Sequence, residues 1–444
     1  MRKRTQFIYN TALLTASTLL MRCIGCAFQV WLAGRIGSAG IGLYQLMGSV
    51  GGLAVTFAVS GIGFGTMRLV SEELGKQNPR SAGSAVLCCL GYALCFGTAA
   101  ALILYRFAEP MGFLWIEDGR TVLPLRILAW ELPFLSLSAV FAGYFTACGR
   151  VGRSTAAALA QQLLNIALTY LLLQNAPQAD IAHNCACITF AGTVSEVMGC
   201  CALGLLYLTD RMTHDRTGSK SEPMTPRLLA ISLPLAVSAY ARSALSTLQH
   251  MLIPSGLRKW GLTAAQALSA YGIVHGMTLT VIYFPTCILY VVAQLLIPDL
   301  TETQVQGGGQ RILRICTKML TLAMGYSAVA TVVLFVLADS LAVGIYKTPE
   351  VASYIRLFAP IVPMIYMDII VDGCLKGLGQ QLYSMGINIA ESALSVVLTY
   401  ILIPRMGIAG FVCVVYFNEI FNFVLSFGKL CRLLTRCNPA PEGV

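Results

Sequence analysis

Arg22 and Arg242 each stand near the middle of a long apolar run, one opening each half of the chain. A cation at mid-membrane depth costs about 2.5–3.5 kcal/mol on insertion scales, so it normally faces a cavity or a partner. Two of them at matching places in a duplicated chain predict a binding site for something negative, set between two lobes. The competing reading is a buried arginine satisfied by a carboxylate or by freed carbonyls of a neighbouring helix. Arg126 and Arg356 differ, because they fall near the outer ends of their spans and can snorkel to the interface. A shared structural role is expected for them.

The acids are distributed otherwise. Glu72 is the first carboxylate in the chain, and the first and seventh spans hold none. Glu131, Glu196, Asp368, Asp372, Glu391 and Glu419 fall in later spans. Asp368 and Asp372 share one helix face, with Lys376 at i+4 as the expected partner of Asp372. Most of these acids are expected to make interhelical hydrogen bonds or to neutralise arginines. The alternative is a proton or cation site among Glu196, Asp368 and Glu419, with Tyr44 and Tyr271 as further polar residues of a cavity.

Nothing in the sequence reads as an enzyme, and no catalytic residue, metal or cofactor is expected. There is no G-x-x-x-x-G-K-[ST] phosphate loop. Gly61-Ile62-Gly63-Phe64-Gly65 ends an apolar helix, so Gly61 and Gly65 read as a small-residue packing face. His183, His214, His250 and His275 lie far apart in sequence. Most of the 16 cysteines lie inside apolar spans, where the thiol packs as a small, weakly polar group.

The elements that must position these residues are membrane helices. The chain of 444 residues is 57% hydrophobic and only 11% charged. Apolar runs of helical length recur throughout, and they do not alternate as barrel strands do. Twelve spans are expected, at about 8–32, 41–66, 82–105, 122–146, 155–174, 183–208, 228–253, 268–296, 312–337, 351–374, 382–403 and 409–431. The first is too long for a cleavable signal peptide, so the N-terminus is expected to be retained. Lys and Arg concentrate in the loops on the side of Met1-Arg2-Lys3-Arg4, which predicts both termini on the cytoplasmic side. The basic residues form no continuous stripe, so the net charge of +10 does not point to nucleic acid.

The two halves repeat. Leu125-Arg126-Ile127-Leu128-Ala129 and Pro133 match Ile355-Arg356-Leu357-Phe358-Ala359 and Pro363 at an offset of 230, which also pairs Gly143 with Gly373 and Gly149 with Gly379. Elsewhere the register drifts: Arg22 pairs with Arg242, Tyr44 with Tyr271, and Glu196 with Glu419. Six spans per half predict a parallel repeat about a pseudo-twofold along the membrane normal. The expected domains are an N-lobe at 1–208, a cytoplasmic linker at 209–226 and a C-lobe at 227–444. Pro133, Pro234, Pro285, Pro360 and Pro363 interrupt helices and permit bends.

Thr18-Leu19-Leu20-Met21-Arg22-Cys23-Ile24-Gly25 resembles the first-helix motif of the multidrug/oligosaccharidyl-lipid/polysaccharide exporter superfamily. Gly40-Ile41-Gly42-Leu43-Tyr44 resembles the opening of its second helix. Ile231-Ser232-Leu233-Pro234-Leu235, Ala270-Tyr271-Gly272 and Leu296-Ile297-Pro298 are similar to its stage V sporulation protein B and polysaccharide flippase branch. The resemblance implies twelve helices in two six-helix lobes around a V-shaped central cavity, and a relation to the lipid II flippases. Arg22 matches the cavity-lining arginine of those flippases. Their further arginine has no counterpart, since the stretch here reads Cys26-Ala27-Phe28-Gln29.

The expected function is a flippase for an undecaprenyl-diphosphate-linked saccharide (a cell-wall, spore-cortex or polysaccharide precursor). It would move the lipid from the inner to the outer leaflet by alternating access, held by Arg22 and Arg242. Its partners would be that lipid, membrane lipids, and glycosyltransferases or cell-wall synthases. The alternatives are a drug/cation antiporter of the same fold and a non-transporting scaffold for envelope assembly.

Overall fold

The computed structural model describes residues 2–76, 79–174, 180–212, 224–306 and 308–437, and among them there is no strand. In hydrocarbon each backbone N–H and C=O must be paired within its own segment, which continuous apolar runs achieve as helices. The helices are α1 (Arg2–Val59), α2 (Ile62–Gly75), α3 (Pro79–Pro110), α4 (Val122–Ala147), α5 (Val151–Gln174), α6 (Ile181–Met212), α7 (Met224–Trp260) and α8 (Ala264–Tyr271). There follow α9 (Leu279–Tyr283), α10 (Thr286–Val305), α11 (Gly309–Val336), α12 (Ala338–Leu341), α13 (Glu350–Phe358), α14 (Val362–Gly377), α15 (Gln381–Met406) and α16 (Ile408–Cys437).

Among the described residues, 10 helical stretches are long and apolar enough to cross a membrane, and the bent pair Ala264–Tyr283 and Thr286–Gln304 raises this to 11. The first stretch, Ala16–Gly75, has 60 residues. At 1.5 Å per residue that many helical residues would reach about 90 Å if straight, far more than one hydrocarbon thickness. It is therefore two crossings, divided at Gly37, whose φ of 74° suits glycine and whose ψ of 176° is not helical. Counting those two crossings separately gives the twelve expected spans.

The bent pair turns by 56°. Pro285 supplies no N–H at the break and leaves carbonyls open. Two tyrosines bond carbonyls beside the break: Tyr326 donates its hydroxyl to the Pro285 carbonyl at 2.9 Å, and Tyr366 to the Ile282 carbonyl at 2.8 Å.

The repeat is visible in three dimensions. Arg126 pairs with Glu109 at 2.6 Å, and Arg356 pairs with Asp339, so both ion pairs obey the offset of 230. Gly149 and Gly379 are both left-handed, with φ of 68° and 74°. Each closes its helix alike, with Arg150 N–H on the Phe145 carbonyl at 2.9 Å and Gln380 N–H on the Leu375 carbonyl at 2.8 Å.

The chain divides into two compact units: Met1–Gly25 with Leu43–Thr247, and Cys26–Gly42 with Leu248–Val444. The units differ from the halves 1–208 and 227–444, because α1 and α7 are each shared between them. In the first unit α7 packs on α2, where a Cβ on Gly61 would lie 2.9 Å from the Ser232 carbonyl oxygen and one on Gly65 2.2 Å from its hydroxyl. These two glycines do form the small-residue face. In the second unit α1 meets α8, where a Cβ on Gly272 would lie 2.0 Å from the Ser38 carbonyl oxygen. The helices α6 and α7 run into both ends of the expected linker, and 213–223 lie outside the described residues.

Candidate functional site

Arg22 lies on α1 and Arg242 on α7, in segments that both belong to the first unit. Both residues are exposed. The turn carrying Arg22 is held by Gln162 of α5, which donates to the Met21 carbonyl at 2.9 Å. The segment carrying Arg242 is held by Ser243, 3.2 Å from the Thr56 hydroxyl, and by Thr247, which donates to the Ser49 carbonyl at 2.9 Å. Arg242 has no hydrogen bond or ion pair among the described residues, whereas Arg22 interacts within the protein.

Each arginine is one rung of a polar stripe. Thr18, Arg22, Cys26 and Gln29 stand at i, i+4, i+8 and i+11 on α1, which is one helix face. Ser238, Arg242, Ser246 and Gln249 stand at the same spacing on α7. An arginine facing lipid is costly, so the stripes mark wetted or partnered faces. Sequence reasoning picked out the arginines without the stripes, although the 3.6-residue period held the signal. One rung is already engaged: Gln29 donates to the Gly276 carbonyl at 3.4 Å and to the Thr280 hydroxyl at 3.2 Å in the second unit.

Of the six acids expected within spans, Glu131 and Glu196 group in the first unit, and Asp368, Asp372, Glu391 and Glu419 in the second. In the first unit Glu196 of α6 is only 6% exposed and accepts from Ser138 of α4 at 2.7 Å and from Gln161 of α5. Glu131 lies within electrostatic reach of Glu196 and of Tyr44. In the second unit Glu419 of α16 accepts from Tyr283 at 3.2 Å, and Glu391 of α15 from Asn422 at 2.6 Å. Asp368 of α14 lies within electrostatic reach of Glu391 and Glu419, and its buried Oδ1 has no hydrogen-bond partner. Asp372 takes the expected Lys376 at 2.5 Å and a hydrogen bond from Ser384. The repeat-related Glu196 and Glu419 are thus members of two separate acidic clusters.

Tyr44 and Tyr271 are matched by the repeat and differ in setting. Tyr44 joins the Glu131 cluster, while Tyr271 is fully buried, with its hydroxyl 3.1 Å from Nδ1 of His250. The Tyr271 ring stacks on His275 at 5.2 Å between centroids, and His250 meets His275 edge-on at 4.5 Å. His275 sits in a π-helical turn, Gly272–Thr278, with Nδ1 buried and without a partner. Sequence reasoning set these histidines aside as distant, and only the packing of α7 on the turn after α8 joins them. His214 lies outside the described residues.

Residues 14–171 match the MatE family model. Across 98% of its length the chain is 22% identical to stage V sporulation protein B of Bacillus subtilis (strain 168), of which it covers 85%. It is 20% identical to sporulation protein YkvU of the same organism, covering 97% of this chain and 96% of that one. Among solved structures it is similar to the inward-facing conformation of a multidrug resistance MATE family transporter of the MOP superfamily. That match has a TM-score of 0.73 at 15% identity, over 95% of this chain and 94% of the other. This multi-pass membrane protein thus has the fold of that transporter, and its first spans match the MatE family model.

Proposed function

We propose that the chain is a flippase for an anionic saccharide lipid linked through a diphosphate, moved from the inner to the outer leaflet of a bacterial cytoplasmic membrane. One observation carries this reading: an exposed arginine stands in a polar stripe on both α1 and α7, with no acid on either segment of the first unit. Guanidinium groups suit phosphate oxygens, since their planar donors bind two oxygens at once. The relatives named for sporulation support a cell-wall, spore-cortex or polysaccharide precursor as the saccharide. Alternating access exposes the head group first on one face and then on the other. Outward movement of each negative charge gains about 2.3 kcal/mol per 100 mV of inside-negative potential. No nucleotide and no chemical step are needed. Both termini are cytoplasmic in this reading, and glycosyltransferases or cell-wall synthases supply and use the lipid.

The acidic clusters support a second reading, a drug/cation antiporter. In the flippase reading Glu196, Asp368 and Glu419 bind a coupling ion that resets the empty carrier. In the antiporter reading they are the principal site and the substrate is cationic. The test is reconstitution in liposomes with a labelled polyprenyl-diphosphate saccharide, scoring head-group accessibility on each face. Arg22→Ala and Arg242→Ala are each expected to abolish flipping at normal membrane abundance. Retention of flipping in both variants, with loss only in Glu196→Gln, Asp368→Asn or Glu419→Gln, selects the antiporter. Indifference to every one of these changes selects a non-transporting scaffold.

A further inference from the structure

The first turns of α11 carry Arg311, Arg314 and Lys318, and the whole helix, Gly309–Val336, holds no carboxylate. A helix N-terminus bears about half a positive charge and favours acids. Three cations at that end therefore compound a positive field. Arg311 alone has an acid near it, Asp299 at 3.9 Å. Arg314 and Lys318 are exposed and make no hydrogen bond or ion pair among the described residues.

Arg314 and Lys318 line an open groove of about 640 Å³ with Gln310, Thr317 and Thr321. The positions share one helix face, so the cations and amide point the same way. The Thr321 hydroxyl is spent on the Thr317 carbonyl at 2.9 Å, which leaves the charged groups and Gln310 for a ligand. Farther along the same face the helix turns apolar: Leu322, Val329, Val332 and Val336 are 58%, 64%, 61% and 67% exposed. A ligand lying along α11 thus meets cations first and hydrocarbon after, in the order of a phospholipid's head and tail.

We propose that this groove in the second unit binds the phosphate head group of an anionic membrane lipid, with the acyl chain against the valine face. The site uses residues other than Arg22 and Arg242 and does not depend on the flippase reading. The positive-inside bias alone would place cations at this helix end, but it predicts no preference for one lipid.

The purified full chain in detergent tests the proposal, with bound lipid counted by native mass spectrometry. Phosphatidylglycerol, phosphatidylcholine and inorganic phosphate are the three probes. Wild type is expected to prefer phosphatidylglycerol to phosphatidylcholine. At about 1 kcal/mol per basic residue near an anionic lipid, the Arg314→Gln/Lys318→Gln double variant should bind it roughly 30-fold more weakly. Arg311→Gln, outside the groove and with its charge offset by Asp299 at 3.9 Å, should weaken binding less than loss of either groove cation. A melting temperature without added lipid checks the fold of each variant. Should the double variant fail to fold, Lys318→Gln alone is expected to weaken binding roughly fivefold by the same scale. Equal binding of the two lipids, or unchanged binding in the folded variants, overturns the site. Displacement of phosphatidylglycerol by millimolar inorganic phosphate overturns the lipid assignment in favour of a soluble anion.

Discussion

Arg227 offers a quantitative test of how the start of α7 is held in the first unit. Its guanidinium spans two acids of α2, with Nη1 at 2.9 Å from Glu73 and Nη2 at 2.7 Å from Glu72. Glu73 is 5% exposed and also accepts from Ser81 at 2.6 Å and Lys76 at 3.1 Å. Removing one member of a buried pair costs about 3–5 kcal/mol. Here the loss should be smaller, because Glu73 keeps two donors and Arg227 is itself 27% exposed. We expect about 2 kcal/mol from the Glu73 contact and about 0.5 kcal/mol from the more exposed Glu72 contact. Arg227→Gln should therefore lower unfolding free energy by about 2–3 kcal/mol in a detergent-denaturation titration. A double-mutant cycle with Glu73→Gln should return a coupling of about 1.5–2 kcal/mol. The comparison is Arg68→Gln, whose i,i+4 pair with Glu72 is exposed and worth about 0.3–0.5 kcal/mol. A coupling below about 0.5 kcal/mol, or equal costs for Arg227→Gln and Arg68→Gln, would refute the reasoning.

Two further outcomes follow from the packing. Arg126→Gln and Arg356→Gln should each cost no more than about 1 kcal/mol in the same titration, because all four members of these repeat-related pairs are more than a third exposed. The glycines should split by their surroundings. Gly272→Ala drives a Cβ to 2.0 Å from a backbone oxygen and should cost 3 kcal/mol or more, on the order of severe overpacking. Gly325→Ala, on the helix α11 with nothing within 4 Å, should stabilise by about 0.5–1 kcal/mol in thermal melting.

Local chemistry in the sequence determined much of this protein. Apolar runs of bilayer length can be stable only as helices, so the spans were legible. The repeat was legible where turns and ion pairs demand particular residues, as at Gly149 with Gly379 and Arg126 with Arg356. Lys376 beneath Asp372 followed from helix spacing alone. Other features needed the fold, because they arise between helices distant in sequence. No spacing rule places Glu196 against Gln161, or His250 against His275, since interhelical packing sets those distances. Nor could the halves of the chain show that α1 and α7 each serve two units. A helix longer than its partner packs with whatever lies beside each of its ends, and only the tertiary structure decides what that is.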